Sequence, residues 1–338
     1  MRRILPAAVV ATVALLAGCS SSSSGSAGSG GGHVTLRLGF LANITHASAL
    51  VGVEKGLFTQ ALGKNVTLDV KIFSTGTEET TALLANQLDA AYVGPNPAIN
   101  AWQKSGGKAI RIISGAATGG ASVVVKKGIT SAAQLKGKKL ATPSLGNTQD
   151  VAVRDWLKQN GLSTTPTGGG DVAIAPTTPN SAAVLEFQSG QIDGGSEPSP
   201  YNVEMIKDGG TQLLSETGVT TNLVVTQSFL AAHASAVSGL LEGQVKANDY
   251  IAQNAAAAQT AANTELTKLE GKGIKSSILP AAFKEITFTD DPDAASLAQD
   301  AKEAVSVDLL QPVNLNGIYD LGPLNKLLKA AGESQVSS

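Results

Sequence analysis

Five short polar segments carry the side chains best suited to hold a small ligand. Each segment follows a run that reads as a β-strand, and together they supply hydroxyl groups, amide groups and glycine backbone. A segment that opens a helix also offers unpaired N–H groups, which attract an anion. The candidates are Asn43, Thr45, His46, Thr75, Gly76, Thr77, Gly94, Pro95, Asn96, Gly146, Asn147, Thr148, Ser196 and Glu197. The segments therefore predict a binding cleft, although the same residue types also cap helices without binding anything.

Motifs for covalent or metal catalysis are missing from the sequence. It contains no Gly-x-Ser-x-Gly, no His-Glu-x-x-His and no Gly-x-x-x-x-Gly-Lys. The three histidines, His33, His46 and His233, lie far apart in the chain, whereas metal ligands converge in groups. We expect no enzyme, no metal and no cofactor. We expect His33 and His233 at the surface, while His46 could reach the cleft.

The charge composition indicates which classes of partner and ligand the protein can bind. Lys plus Arg number 25 against 27 for Asp plus Glu, for a net charge of −2, and no basic stripe is present. Nucleic-acid binding is therefore not expected. Beyond the first three residues the only arginines are Arg37, Arg111 and Arg154, and none lies in the five segments. A monovalent anion or a zwitterion is favoured over a multivalent anion, and Glu197 could either pair with a ligand ammonium group or cap a helix.

The first residues have the pattern of a secreted lipoprotein. Arg2 and Arg3 precede an apolar run at residues 4–16, and Leu-Ala-Gly-Cys follows at 16–19. This order predicts a signal peptide over residues 1–18 and lipidation of Cys19, which resembles a bacterial lipobox cysteine. A short anchor helix with an incidental cysteine is the alternative. Residues 19–33 are rich in Ser and Gly and predict a flexible tether, so we expect an extracytoplasmic protein anchored to the cell membrane by lipid.

The remaining chain alternates between strand and helix patterns. Such alternation predicts βαβ units and an α/β fold with mainly parallel sheets. In open sheets of this kind ligands bind beyond the carboxyl ends of the strands, where the five segments lie. Strands are predicted at 34–40, 66–73, 90–93, 111–116, 122–126, 139–143, 172–175, 211–214 and 222–225, and helices at 47–60, 78–87, 97–104, 131–135, 148–160, 181–189, 200–207, 230–261 and 294–308.

Three acidic residues stand just before the last of these helices. Asp290, Asp291 and Asp293 flank Pro292, and such a cluster could bind calcium. No glycine stands where an EF-hand loop needs one. Because Asp caps free amides at helix starts and Pro suits the first turn, the sequence favours a helix cap.

Several motifs, taken in order, resemble substrate-binding proteins of ABC importers for sulfonates, nitrate and taurine, which are related to thiamine-precursor binders. They are Lys-Gly-Leu-Phe at 55–58, Ser-Thr-Gly-Thr-Glu at 74–78, Ala-Ala-Tyr-Val-Gly-Pro-Asn-Pro at 90–97, residues 129–139, and Gly-Ile-Tyr-Asp-Leu at 317–321. The resemblance implies a type II periplasmic-binding-protein fold, in which two interleaved α/β lobes enclose a ligand cleft. It also implies a monomer that delivers its ligand to an ABC permease in the membrane.

The same resemblance suggests roles and lobe boundaries. Gly94 to Asn96 and Gly146 to Thr148 match helix starts that face the anion, whereas Gly195 and Ser196 replace an aromatic residue of many members. Lobe 1 is expected over 34–117 and 222–338, and lobe 2 over 118–221. Two alternatives remain open. One is a ligand-sensing lipoprotein, and the other is a binder of a pyrimidine, a thiamine-precursor-type or another small organic ligand.

Overall fold

The structure is a computed structural model that describes residues 33–338. The predicted signal peptide, Cys19 and the tether up to residue 32 lie outside the described residues. His33, the last residue of the predicted tether, is exposed, and its Nε2 lies 2.5 Å from the Thr67 hydroxyl. Within the described part, no helix is long and apolar enough to cross a membrane.

Within residues 33–338, eleven strands form two sheets. In chain order they are β1 (Val34–Leu41), β2 (Val66–Phe73), β3 (Ala90–Val93), β4 (Ile110–Gly119), β5 (Ala121–Val125), β6 (Lys139–Thr142), β7 (Ala173–Pro176), β8 (Gly194–Pro198), β9 (Thr211–Glu216), β10 (Val219–Thr226) and β11 (Ile286–Phe288). The first sheet has the order β11-β4-β10-β3-β1-β2, and the second has the order β7-β6-β8-β5-β9.

Helices cover both sheets. In chain order they are α1 (Ala47–Glu54), α2 (Leu57–Leu62), α3 (Gly76–Leu84), α4 (Pro95–Lys104), α5 (Thr148–Gln159), α6 (Asn180–Ser189), α7 (Tyr201–Lys207), α8 (Gln227–Ala232), α9 (Ala234–Gln253), α10 (Ala255–Glu270), α11 (Leu279–Lys284), α12 (Ala294–Ser306) and α13 (Gly322–Ala331). Short 3-10 helices span Ile44–His46 and Ala132–Leu135. Each sheet separates two buried apolar clusters, one on each face.

The predicted α/β class with two lobes is confirmed, but the sheets are mixed rather than mainly parallel. Strand β1 is parallel to β2 and β3, while β10 is antiparallel to β3 and β4. In the second sheet β5 is antiparallel to β8 and β9. Parallel neighbours need a long crossover, whereas β5 and β10 enter their sheets by direct links from strands of the other sheet. The predicted lobe boundaries stay a prediction.

Two predicted helices are broken in the structure. The helix expected over 47–60 is divided into α1 and α2, because Gly56 takes a left-handed conformation with φ of 67° that suits glycine. The helix expected over 230–261 is divided at His233 and Asn254, which both have φ of −134°. Strand β11 and helices α11 and α13 were not predicted. The Asp293 side chain accepts a hydrogen bond from the Ser296 amide at the start of α12, as a helix cap does.

Candidate functional site

A small cavity of about 30 Å³ lies where the carboxyl ends of strands from both sheets meet. Its walls come from the segments that follow β1, β2, β3, β6 and β7, together with residues of β8 and β10. The lining residues are Leu41, Asn43, Thr45, His46, Ser74, Thr75, Gly76, Gly94, Pro97, Pro143, Ser144, Asn147, Thr148, Gln149, Asn180, Pro198 and Thr220. We refer to it as the polar cleft.

The structure brings eight of the fourteen predicted site residues to the polar cleft. They are Asn43, Thr45, His46, Thr75, Gly76, Gly94, Asn147 and Thr148. The other six, which do not line it, are Thr77, Pro95, Asn96, Gly146, Ser196 and Glu197. Strand alternation separates neighbours such as Glu197 and Pro198, because successive side chains of a strand point to opposite faces.

Some of the six have partners away from the cleft. The Asn96 side chain donates to the Asp300 carbonyl over 3.2 Å, and the Ser196 hydroxyl donates to a Glu216 carboxylate oxygen over 3.2 Å. Glu197 is fully buried, and neither of its carboxylate oxygens has a hydrogen-bond partner among the described residues. Burial therefore raises the pKa of Glu197 well above its ordinary range, with smaller contributions from Glu186 and Glu216.

The segment after β1 presents two neutral donors. Asn43 Oδ1 accepts hydrogen bonds from the Thr45 amide at 3.0 Å and the Thr45 hydroxyl at 2.7 Å, which leaves the Asn43 NH₂ group as a donor. His46 Nδ1 accepts from the Leu41 amide at 3.2 Å, so in the neutral ring the proton belongs on Nε2. Burial lowers the pKa of His46 to about 3, and the ring is therefore an uncharged donor at the cleft.

Because His46 stays neutral, we expect ligand affinity to be insensitive to its ordinary titration. Calorimetric affinities at pH 5.5 and pH 7.5 should agree within about threefold for a ligand whose own charge does not change, since a pKa near 3 lies below both values. A His46→Gln variant, which retains a neutral N–H donor, should give the same flat profile. A tenfold gain in affinity at pH 5.5 that disappears in His46→Gln would show that the imidazolium binds the ligand.

Helices from both sheets begin at the cleft, among them α3, α4 and α5. The side chain of Thr75 caps α3 by accepting from the Glu78 amide, and that of Asn147 caps α5 by accepting from the Asp150 amide. Gly94 precedes α4 without any side-chain cap, and the first turn of α4 holds no acidic residue. Each helix start carries a partial positive charge. The first turns of α3 and α5 contain Glu78, Glu79 and Asp150, so the start of α4 is the one that most favours negative charge on a ligand.

No charged side chain of the described chain lines the polar cleft. The three arginines are engaged elsewhere: Arg37 is paired with Asp89, Arg111 lies over the Trp102 ring, and Arg154 is buried against Asp150. The cleft can therefore hold a monovalent anion or an uncharged polar ligand by hydrogen bonds from neutral groups. It provides no counter-charge for a multivalent anion.

The two walls of the cleft approach closely at one point. A Cβ placed on Gly94 would lie 2.6 Å from the Thr148 hydroxyl oxygen, which is well inside van der Waals contact. The cavity of about 30 Å³ has room for roughly a water molecule or two. An organic ligand therefore requires the walls to separate and then close around it.

Nine lining residues were not among the predicted site residues. The polar ones are Ser74, Ser144, Gln149, Asn180 and Thr220. Ser74, Ser144 and Gln149 lie in or beside predicted segments, and Asn180 begins α6 after β7, so the rule for strand ends could have found all four. Thr220 lies on β10, next to the expected lobe boundary between residues 221 and 222, but the sequence around it does not mark the end of a strand.

Residues 29–265 match the model of the NMT1-like family. Among solved structures, the alkanesulfonate-binding protein SsuA from Xanthomonas axonopodis pv. citri, bound to MOPS, superposes with a TM-score of 0.70 at 16% identity, over 85% of this chain and 98% of that one. The periplasmic nitrate-binding protein NrtA from Synechocystis PCC 6803 superposes with a TM-score of 0.66 at 14% identity, over 88% of each chain. At these identities the likeness concerns the fold, and it confirms the expected periplasmic-binding-protein type.

Two Brucella proteins that are named as binding proteins are similar in sequence. The one from Brucella abortus (strain 2308) is 30% identical over 162 residues, which is 48% of this chain and 47% of the relative. The one from Brucella suis biovar 1 (strain 1330) matches over the same share. The chain thus spans about half the length of the curated relatives it matches.

Proposed function

The chain belongs to the NMT1-like family, and from this premise we propose that it is the extracytoplasmic solute-binding protein of an ABC importer. In this role it captures a small anionic or zwitterionic solute of the sulfonate, taurine or nitrate class and delivers it to a membrane permease. The binding proteins to which it is similar in sequence and fold support this role. It acts by binding and release, with lipidated Cys19 and the tether holding it at the membrane.

The observation that carries the proposal is the convergence of helix starts from both sheets on one cleft without charged side chains. Partial charges at helix starts hold an anion without any Arg or Lys. A single negative charge is matched by this arrangement, whereas a dianion would remain undercompensated. Contacts from both sheets also allow the ligand to favour the closed arrangement, as a binding protein requires.

A zwitterion would need a negative group for its cationic end. Glu197 is one candidate, because its carboxylate has no hydrogen-bond partner in the part of the chain that the structure describes, and its neighbour Pro198 lines the cleft. Glu197 is fully buried, so contact with a ligand ammonium group would require the walls to part. Calorimetry that compares an aminosulfonate with the alkylsulfonate of equal length decides whether the ammonium group contributes.

A thermal-shift screen of the purified protein tests the proposed class. Sulfonates, taurine, nitrate, pyrimidine precursors and flavins are the probes, because a ligand that binds only the folded state raises its melting temperature. Stabilisation by a monovalent anion supports the proposal. Stabilisation by an uncharged pyrimidine alone would contradict the anion class and favour the alternative ligand.

Thr148→Val should weaken binding of the ligand found in that screen about tenfold or more. The substitution keeps the side-chain shape but removes the hydroxyl group at the first position of α5, and one hydrogen bond to a charged ligand is worth about 1.5–3 kcal/mol. Thr264→Val is the matched control, because that threonine lies on the exposed face of α10 and should leave affinity unchanged. Equal affinity in both variants would place the ligand elsewhere.

A further inference from the structure

A second and larger cavity, of about 300 Å³, lies between α5, β9 and α12. Helix α5 and β9 belong with the second sheet, whereas α12 packs against α4 on the first, so the cavity joins parts of both lobes. Thr148 lines it as well as the polar cleft. Its volume is at the lower end of the range for small-molecule sites.

The walls of this cavity are strongly acidic. Asp155, Glu216, Asp300 and Glu303 line it, and no Lys, Arg or His does so within the described chain. None of the four forms an ion pair with a described residue. We call it the acidic interlobe cavity.

The hydrogen bonds inside this cavity leave its charge uncompensated. Glu216 accepts from the neutral groups of Ser196 and Gln149, and Glu303 accepts from the Gln299 amide over 3.0 Å. Burial raises the pKa of Glu216 to about 7, although the hydrogen bonds from Ser196 and Gln149 act to lower it.

Asp300 gives an independent indication of a ligand. Its Oδ2 is wholly buried and has no hydrogen-bond partner, and its Oδ1 accepts none from a described residue. Burial raises the pKa of Asp300 well above its usual range, and Glu303 and Glu216 add to this. Asp300 lines the cavity and keeps part of its surface exposed. A carboxylate with one buried oxygen that lacks a partner is costly, so a cationic donor at the accessible part of this carboxylate would lower that cost.

The spacing of the carboxylates selects the kind of cation. Among the described residues no three carboxylate, histidine or cysteine groups converge closely enough to hold a metal ion. A compact ion cannot reach carboxylates that surround a cavity of about 300 Å³, whereas an elongated cation can. Trp156 adds an aromatic side chain to the wall, and aromatic faces attract ammonium and guanidinium groups.

We propose that the acidic interlobe cavity binds a small organic cation with one or two ammonium or guanidinium groups, held by Asp300, Glu303 and Glu216 beside Trp156. The cation bridges α12 of one lobe and α5 and β9 of the other. This site adjoins the polar cleft at Thr148, and a cation bound there goes beyond the proposed capture of an anion.

Calorimetry of the full-length protein with 1,4-diaminobutane at pH 8 and low salt tests the site. We expect binding near one to one, tighter than that of 1-aminobutane and absent with uncharged 1,4-butanediol. Asp300→Asn and Glu303→Gln should each weaken binding of the diamine about tenfold or more. Glu333→Gln, at an exposed position near the carboxyl end, is the matched control and should leave it unchanged.

Three results would overturn the proposal. They are no heat of binding at millimolar diamine, equal affinity for MgCl₂ at matched ionic strength, and affinity that neither carboxylate variant changes. If Asp300→Asn fails to fold by circular dichroism, Glu303→Gln decides, because Glu303 keeps part of its surface exposed. The diamine is measured without the anion, so failure here is distinguishable from failure of the proposed transport function.

Discussion

Replacing Gly94 with alanine will weaken ligand binding about 100-fold or more while both sheets stay folded. A methyl group at this position would lie 2.6 Å from the Thr148 hydroxyl oxygen on the opposite wall of the polar cleft. The backbone of Gly94 has φ of −65° and ψ of 157°, which alanine adopts readily. The added methyl group therefore obstructs closure rather than folding. Loss of two hydrogen bonds to a charged ligand, at about 1.5–3 kcal/mol each, gives this magnitude.

Two comparisons make the Gly94 experiment specific. Gly322→Ala is the control, because a Cβ there meets only Asp320 Oδ1 at 3.6 Å, and calorimetry should show unchanged affinity. Thr148→Ala removes the obstructing oxygen, so adding Gly94→Ala to it should cost much less than Gly94→Ala costs alone. Wild-type affinity in the Gly94→Ala single variant would mean that ligand binding does not require these walls to meet.

The folded protein will lose stability as pH rises from 6.5 to 8.5. Burial is the main cause of the raised pKa values of Glu79 and Glu197, which lie well above the ordinary range, and of the value of about 7 for Glu216. A raised pKa means that these carboxyl groups keep their protons in the folded protein at pH values where the unfolded chain loses them. The stability that results is complete at pH values below the pKa that each group has in the unfolded chain. It is lost as pH rises through the pKa that the group has in the folded protein.

The opposing effect of His46 lies mostly outside the window from pH 6.5 to 8.5. The folded pKa of His46 is about 3, below its unfolded value of about 6.5, so its titration lowers stability mainly as pH falls below 6.5. A carboxyl group that stays protonated in the folded protein but is ionised in the unfolded chain lowers the free energy of unfolding by up to about 2.7 kcal/mol as pH rises across this two-unit window. We therefore expect the melting temperature at pH 8.5 to be about 4 °C or more below that at pH 6.5.

Neutral variants identify the groups responsible. Glu79→Gln and Glu197→Gln should flatten the pH dependence, because glutamine has no proton to lose, whereas exposed Glu333→Gln should leave it unchanged. Calorimetric melting of each variant at both pH values measures the difference. A melting temperature that rises with pH in this window would contradict the assignment of buried, protonated carboxyl groups.

Local sequence patterns were sufficient for the class of fold and for the position of the candidate cleft. Strand and helix periodicities depend on neighbouring residues, and loops after strands of an α/β sheet converge at its carboxyl edge. Asn43, Thr75 and Asn147 were therefore placed at that edge, where they line one cavity. Their role in binding stays a prediction. The cap at Asp293 was likewise predictable, because a helix cap needs only residues within one turn.

Tertiary structure decided what depends on distant parts of the chain. The antiparallel directions of β5 and β10 follow from crossing between two sheets, and no local pattern records which sheet a strand enters. Glu197 is sequestered because strand alternation turns it away from the cleft that the neighbouring Pro198 lines. The acidic interlobe cavity joins Asp155 to Asp300, which are far apart in sequence. Its charges meet only when α5 and α12 pack together, because electrostatic interaction depends on distance in space and on burial rather than on position along the chain.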